Sequence, residues 1–108
     1  MAKTASHITP PPPPEKLSEG QIEDALKTLP DWSEVGGVIQ RTYAFKNFIA
    51  SMDFVNAVAR AAESAQHHPD ILIRWNKVTL SLSTHDANGI TKKDFDLARQ
   101  CDGLVAPR

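Results

Sequence analysis

Cysteine is almost absent from this chain of 108 residues: Cys101 stands alone, which excludes an intramolecular disulfide framework and any zinc or iron–sulfur site built from several thiolates. A lone thiol suits a reducing compartment such as the cytoplasm. Excess positive charge is lacking too, with 12 Lys and Arg against 13 Asp and Glu, so little is available to release counterions from nucleic acid or anionic lipid. No run approaches the ~20 apolar residues that span a bilayer. No stretch of ~7–15 apolar residues follows a basic start, as in a secretory signal. Gly-rich phosphate loops, dinucleotide fingerprints and Gly-x-Ser-x-Gly elbows are missing as well. Neither nucleic acid nor membrane is therefore an expected partner.

What the chain does contain is the composition of one globular domain, 41% hydrophobic and 23% charged. Proline is the exception in its placement: five of eight form the run Pro10 to Pro14, which favours polyproline II and can neither pair in a sheet nor continue a helix. Residues 1–16 read as a disordered tail or stiff spacer, and 17–108 as the domain. Without Lys3, Lys16 and Glu15, 10 basic residues face 12 acidic ones, so the domain itself is mildly acidic.

Residues 17–108 read in order as helix, two strands, helix, two strands, helix. Ser18 and Gln21 have capping-box spacing ahead of Ile22, Leu26 and Leu29, and Pro30 stops the pattern. Trp32–Val35 and Val38–Phe45 flank Gly36-Gly37, a hairpin turn; Arg41 alone breaks the apolar parity of Ile39, Tyr43 and Phe45. From Ser51 to Gln66, an alanine-rich segment places Phe54, Val58, Ala61, Ala62 and Ala65 on one helical stripe, with Asp53, Asn56, Arg60, Glu63 and His67 opposite. Pro69 stops this helix at about His68. Two alternating runs, Ile71 to Trp75 and Val78 to Leu82, form a second hairpin, and Trp32 and Trp75 read as core residues. Period two puts His85 on the parity of Thr79, Ser81 and Ser83. Thr91 with Asp94 then caps a last helix carrying Phe95, Leu97, Ala98, Cys101 and Leu104. Strands in hairpins broken by helices, without a βαβ rhythm, predict an α+β fold: a four-stranded antiparallel sheet with three helices packed on one face.

His67, His68 and His85 fall at element ends rather than in apolar stripes, and histidine is the side chain that gives and takes protons near neutral pH. A histidine at a helix end also serves as a C-terminal cap. Zinc is the competing use of three histidines, but adjacent side chains seldom reach one ion tetrahedrally. Cys101 within an apolar stripe reads as a small buried hydrophobe. Glu63, Asp86 and Asp94 are the acids nearest the histidines in sequence, with Asp94 already explained as a helix cap. The residues alone support a histidine acid/base site and name no substrate.

The segments His67-His68-Pro69, Trp75-Asn76-Lys77-Val78, Leu82-Ser83-Thr84-His85 and Gly89-Ile90-Thr91 through Asp94, with Leu97-Ala98, resemble the pterin-4a-carbinolamine dehydratase family in order and spacing, from about Leu17 to Leu104. The resemblance implies the same α+β architecture, assembled as a homo-oligomer, dimer or tetramer. It implies dehydration of 4a-hydroxytetrahydrobiopterin to quinonoid dihydropterin in tetrahydrobiopterin regeneration, with no metal and no bound cofactor. His67 and His85 would be the acid/base pair and His68 would mainly hold the pterin, while Glu63, Asp94, Ser83 and Thr84 would contact the ring. Trp75 departs from the tyrosine common at its position, and Pro30-Asp31-Trp32 from the usual Gly-Trp. Two other readings stand beside the dehydratase: a binding or assembly module on the same fold, since some relatives act as dimerisation cofactors or resemble Rubisco assembly factors, and a metal enzyme using the three histidines.

Overall fold

The computed structural model describes residues 14–105; the expected proline-rich tail lies almost wholly outside them. The elements are α1 (Glu19–Leu26), β1 (Ser33–Val35), β2 (Val38–Ala44), α2 (Phe48–Ala65), β3 (Asp70–Arg74), β4 (Lys77–Leu82) and α3 (Lys92–Gly103). The strands form one antiparallel sheet in the order β1-β2-β4-β3, giving the α+β fold that the hairpin pattern predicts. No described helix is long and apolar enough to cross a membrane.

Strand parity decides which face is covered. Ile39 lies opposite Leu82, Arg41 opposite Leu80, and Tyr43 opposite Val78; Ile71 and Ile73 flank the last two from β3. These side chains share one face, and the buried residues of all three helices, Ile22, Phe54, Val58, Phe95, Leu97 and Ala98 among them, join them in one core. The opposite face is polar, with Thr42 and Thr79 hydroxyls 2.7 Å apart. Aromatic packing fills the gap between β2 and α2, where the Tyr43 and Phe54 rings lie 4.5 Å apart and Phe45 and Phe54 5.1 Å.

Arg41 is tolerated on the inward parity because Asp102, near the end of α3, neutralises it at 2.7 Å. The same carboxylate accepts from Tyr43 Oη at 2.5 Å and Trp32 Nε1 at 3.0 Å, and the guanidinium stacks 4.2 Å above the Tyr43 ring. A charge at a core edge is stable when fully paired in this way. Burial, and then the hydrogen bond to Asp102, push the Tyr43 hydroxyl well above its usual range, and burial pushes the Cys101 thiol up to about 11. Both groups hold their protons more tightly folded than unfolded, so the contribution of Cys101 is intact below about pH 9 and is lost as pH rises through about 11, while that of Tyr43 is lost only at higher pH. Melting temperature is expected to be flat near neutrality and to fall between those values. A midpoint that rises over that window would contradict the assignment.

Several local expectations are corrected. Helix α2 starts at Phe48, not Ser51, because the Asn47 side chain accepts the Ala50 N–H at 2.9 Å and caps the helix earlier. It ends at Ala65, with Gln66 left-handed at φ 51°, so His67 lies past the helix instead of closing its polar stripe, and Ala65 is exposed. Trp32 is a core residue, whereas Trp75 is not: it occupies the β3–β4 turn at φ 54°, 67% exposed. The turn needs a residue that points away from the sheet, and hydrophobicity alone does not bring a turn position inside. His85 opens a single 3-10 turn (His85–Ala87) after β4 has ended at Leu82, so strand parity does not govern its direction.

Candidate active site

Two chain breaks build the site. The left-handed Gln66 turns the backbone sharply after α2, and the His67 N–H still closes on Ala62 O at 3.1 Å, which draws the His67 side chain inward against α3. At the end of β4, Thr84 and Gly89 pair as an isolated bridge, and the loop between them carries His85 outward. The two turns face each other across an open cavity of about 200 Å³ lined by Gln66, His67, His68, Ser83, Thr84, His85, Asp86 and Lys93. All three histidines singled out from the sequence thus border one space. Ser83 and Thr84 border it as well.

His67 is buried and its Nε2 lies 2.5 Å from Asp94 Oδ1, a carboxylate with no exposed surface. Oδ2 of Asp94 accepts from Thr84 Oγ1 at 2.8 Å and from the Thr91 N–H at 2.8 Å. The directions of these bonds follow from valence. An ionised carboxylate only accepts, so Thr84 donates to Asp94, and the Thr91 hydroxyl, 2.8 Å from Thr84 Oγ1, donates to Thr84 in turn. By the same logic Nε2 of His67 carries a proton, and a neutral ring then has its lone pair at Nδ1. Among the described residues that nitrogen has no hydrogen-bond partner.

Asp94 is at once the capping-box residue of α3 and the partner of His67. Its oxygens are occupied, and it reaches the cavity only through the side chains it holds, those of His67 and Thr84. The resemblance makes Asp94 a ring contact; its burial instead places it behind His67. Glu63 is likewise not on the cavity wall. It projects from the exposed face of α2 and accepts from His68 Nε2 at 2.6 Å, with both side chains mostly in solvent. Such an exposed pair contributes ~1 kcal/mol or less and serves to steer His68. Asp86 stays exposed on the far rim.

Among the described residues, no group of three His, Cys, Asp or Glu side chains is arranged to hold a metal ion. Two residues on the wall escaped the sequence reading. Gln66 has only its helix-end position as a signal. Lys93 has a better one, because it precedes the inward-turned Asp94 in the first turn of α3 and must lie beside whatever Asp94 supports.

The sequence profile of the family described as pterin 4 alpha carbinolamine dehydratase matches residues 15–104. A protein of Picosynechococcus sp. named "Putative pterin-4-alpha-carbinolamine dehydratase" is 53% identical over 89 residues, 82% of this chain and 97% of that protein. A protein of Nocardia farcinica with the same name is 54% identical over 91 residues, 84% of this chain and 96% of its own. In structure, the chain is similar to a Brucella melitensis protein described as a transcriptional coactivator/pterin dehydratase, with a TM-score of 0.82 at 32% identity over 85% of this chain and all of that one. A pterin dehydratase-like protein identified as a RuBisCO assembly factor in the alpha-carboxysome shares the fold, with a TM-score of 0.61 at 22% identity over 72% of this chain and 93% of its own. With the profile spanning nearly all described residues and relatives above half identity over most of the chain, this protein belongs to the pterin-4a-carbinolamine dehydratase family.

Proposed function

We propose that the chain dehydrates 4a-hydroxytetrahydrobiopterin to quinonoid dihydropterin, and that two of its histidines move the protons. The observation that carries this reading is the pairing of a buried, carboxylate-held imidazole with a solvent-facing one on the rim of a single cavity. The reaction breaks the C4a–O bond and forms a C4a=N5 double bond. The hydroxyl leaves as water with a proton from an acid, the N5–H proton goes to a base, and no electrons enter or leave.

His67 suits the base: Asp94 fixes its Nε2 proton, leaves Nδ1 to accept, and stabilises the imidazolium that results. His85 is exposed at the start of its 3-10 turn, where it can exchange protons with solvent, and suits the acid that protonates the leaving hydroxyl. His68, Ser83 and Thr84 line the same cavity and would border the ring. The test is the dehydration rate of a 4a-hydroxytetrahydropterin with the purified protein, no metal added, against the uncatalysed rate. An enhancement of several orders is expected; equal rates would reject the enzyme and leave the binding module.

The assembly proposed with this function is a homo-oligomer joined through β3. This strand is a sheet edge whose sequence, Asp70-Ile71-Leu72-Ile73-Arg74, complements itself: antiparallel pairing about Leu72 sets Asp70 of one copy opposite Arg74 of the other. Leu72 at its centre is 54% exposed, an apolar edge that single chains ordinarily protect. Light scattering is expected to give a mass of at least two chains for the wild type and one chain for Leu72→Asp. A monomeric wild type would remove this assembly without touching the chemistry.

A further inference from the structure

The cavity that holds the histidines, about 200 Å³, is smaller than the ~300–1,000 Å³ usual for sites that enclose a small molecule. Beyond His67 it adjoins a second cavity of about 350 Å³, and the two share His67 and Lys93 as common wall. Ala65 and Leu97 give the second cavity an apolar floor, and Asp96 and Arg99 stand at its rim.

Its charges do not cancel. The Asp96 carboxylate already accepts from Lys92 Nζ at 2.8 Å and from Arg99 Nη1 at 3.5 Å. Among the described residues the Lys93 ammonium has no acidic partner, so the common wall carries a surplus positive charge. On the His85 side, the neighbouring cavity is bordered by Gly36, Gly37, Val38, Asn88 and Gly89; no Lys or Arg is among its lining residues, and the Lys16 stem packs on Gly89 outside that lining. A ring seated between His67 and His85 therefore has a charged exit in one direction and a neutral one in the other.

We propose that the substituent carried by the pterin ring extends past His67 into the second cavity, and that Lys93 makes this chain favour a pterin with an anionic substituent over a neutral one. The proposal rests on the pterin reading of the site and adds to it the class of substrate. Lys93 is a specificity residue and takes no part in the proton transfers.

The experiment is a fluorescence titration of the full chain with 6-carboxypterin and with 6-methylpterin, which share the ring and differ in the charge of the substituent. At low salt the wild type is expected to bind the carboxylate about three- to fivefold more tightly, the size of one exposed ion pair, and the ratio is expected to shrink at high salt. In Lys93→Gln the ratio falls to about one. In Lys77→Gln, which removes an equal charge from the end of β4 opposite the site, it stays. Equal affinities in the wild type, or a preference that survives Lys93→Gln, would overturn the proposal while leaving the pterin site standing. Failure to bind either pterin would overturn both.

Discussion

Replacing His85 with alanine is expected to lower kcat for pterin dehydration by about 10²–10⁴, the span typical of a positioned acid or base, with no loss of melting temperature. The imidazole is exposed on a 3-10 turn and holds up nothing else. His67→Ala is expected to lose as much activity but also to destabilise the fold by ~1–3 kcal/mol, because it leaves the buried Asp94 short of a donor. If both act in one water loss, the double variant is scarcely slower than the worse single one. Steady-state rates and thermal melts on the three variants give the answer. His85→Ala within threefold of wild type would end its role as the acid.

Asp94→Asn separates orientation from packing. An asparagine retains an oxygen for the Thr91 N–H and nearly the same volume, so the fold is expected to persist with reduced stability. Its amide would donate to His67 Nε2, move the ring proton to Nδ1 and present the wrong tautomer to the substrate. By analogy with other carboxylate-held imidazoles, kcat is expected to fall by about 10² or more with KM little changed. Asp94→Ala is expected to cost about 3–5 kcal/mol, since it abandons His67, Thr84 and the α3 cap together. A purely structural Asp94 would give the melting shift of the asparagine variant without the loss of kcat or any change in its pH profile. That outcome would sink the dyad.

Most of the architecture was legible because it is written in local patterns: the capping boxes at Ser18 and Thr91, the alternation from Val78 to Leu82, and the glycine turn after Val35. The gathering of His67, His68 and His85 was legible only as three element ends, and the resemblance supplied their partnership. What stayed hidden is tertiary. That Thr84 and Thr91 share a proton chain with Asp94 depends on a strand end meeting a helix start. That Glu63 answers to His68 depends on the left-handed Gln66, an ordinary residue in a conformation its identity does not announce. Trp75 misleads because a large aromatic reads as core, while turn geometry governs its place.

Helix α3 is held by a carboxylate at each end, Asp94 against His67 and Thr84, and Asp102 against Arg41, Tyr43 and Trp32. Helices ordinarily fray from their termini, where backbone groups lack partners. Here both termini are tied to the sheet or to the loop after α2, so α3 has no loose end from which local opening can begin. The amide protons in the middle of α3 are then expected to exchange with solvent at the rate of the sheet itself, and the imidazole at its N-terminus to keep its alignment until the sheet opens.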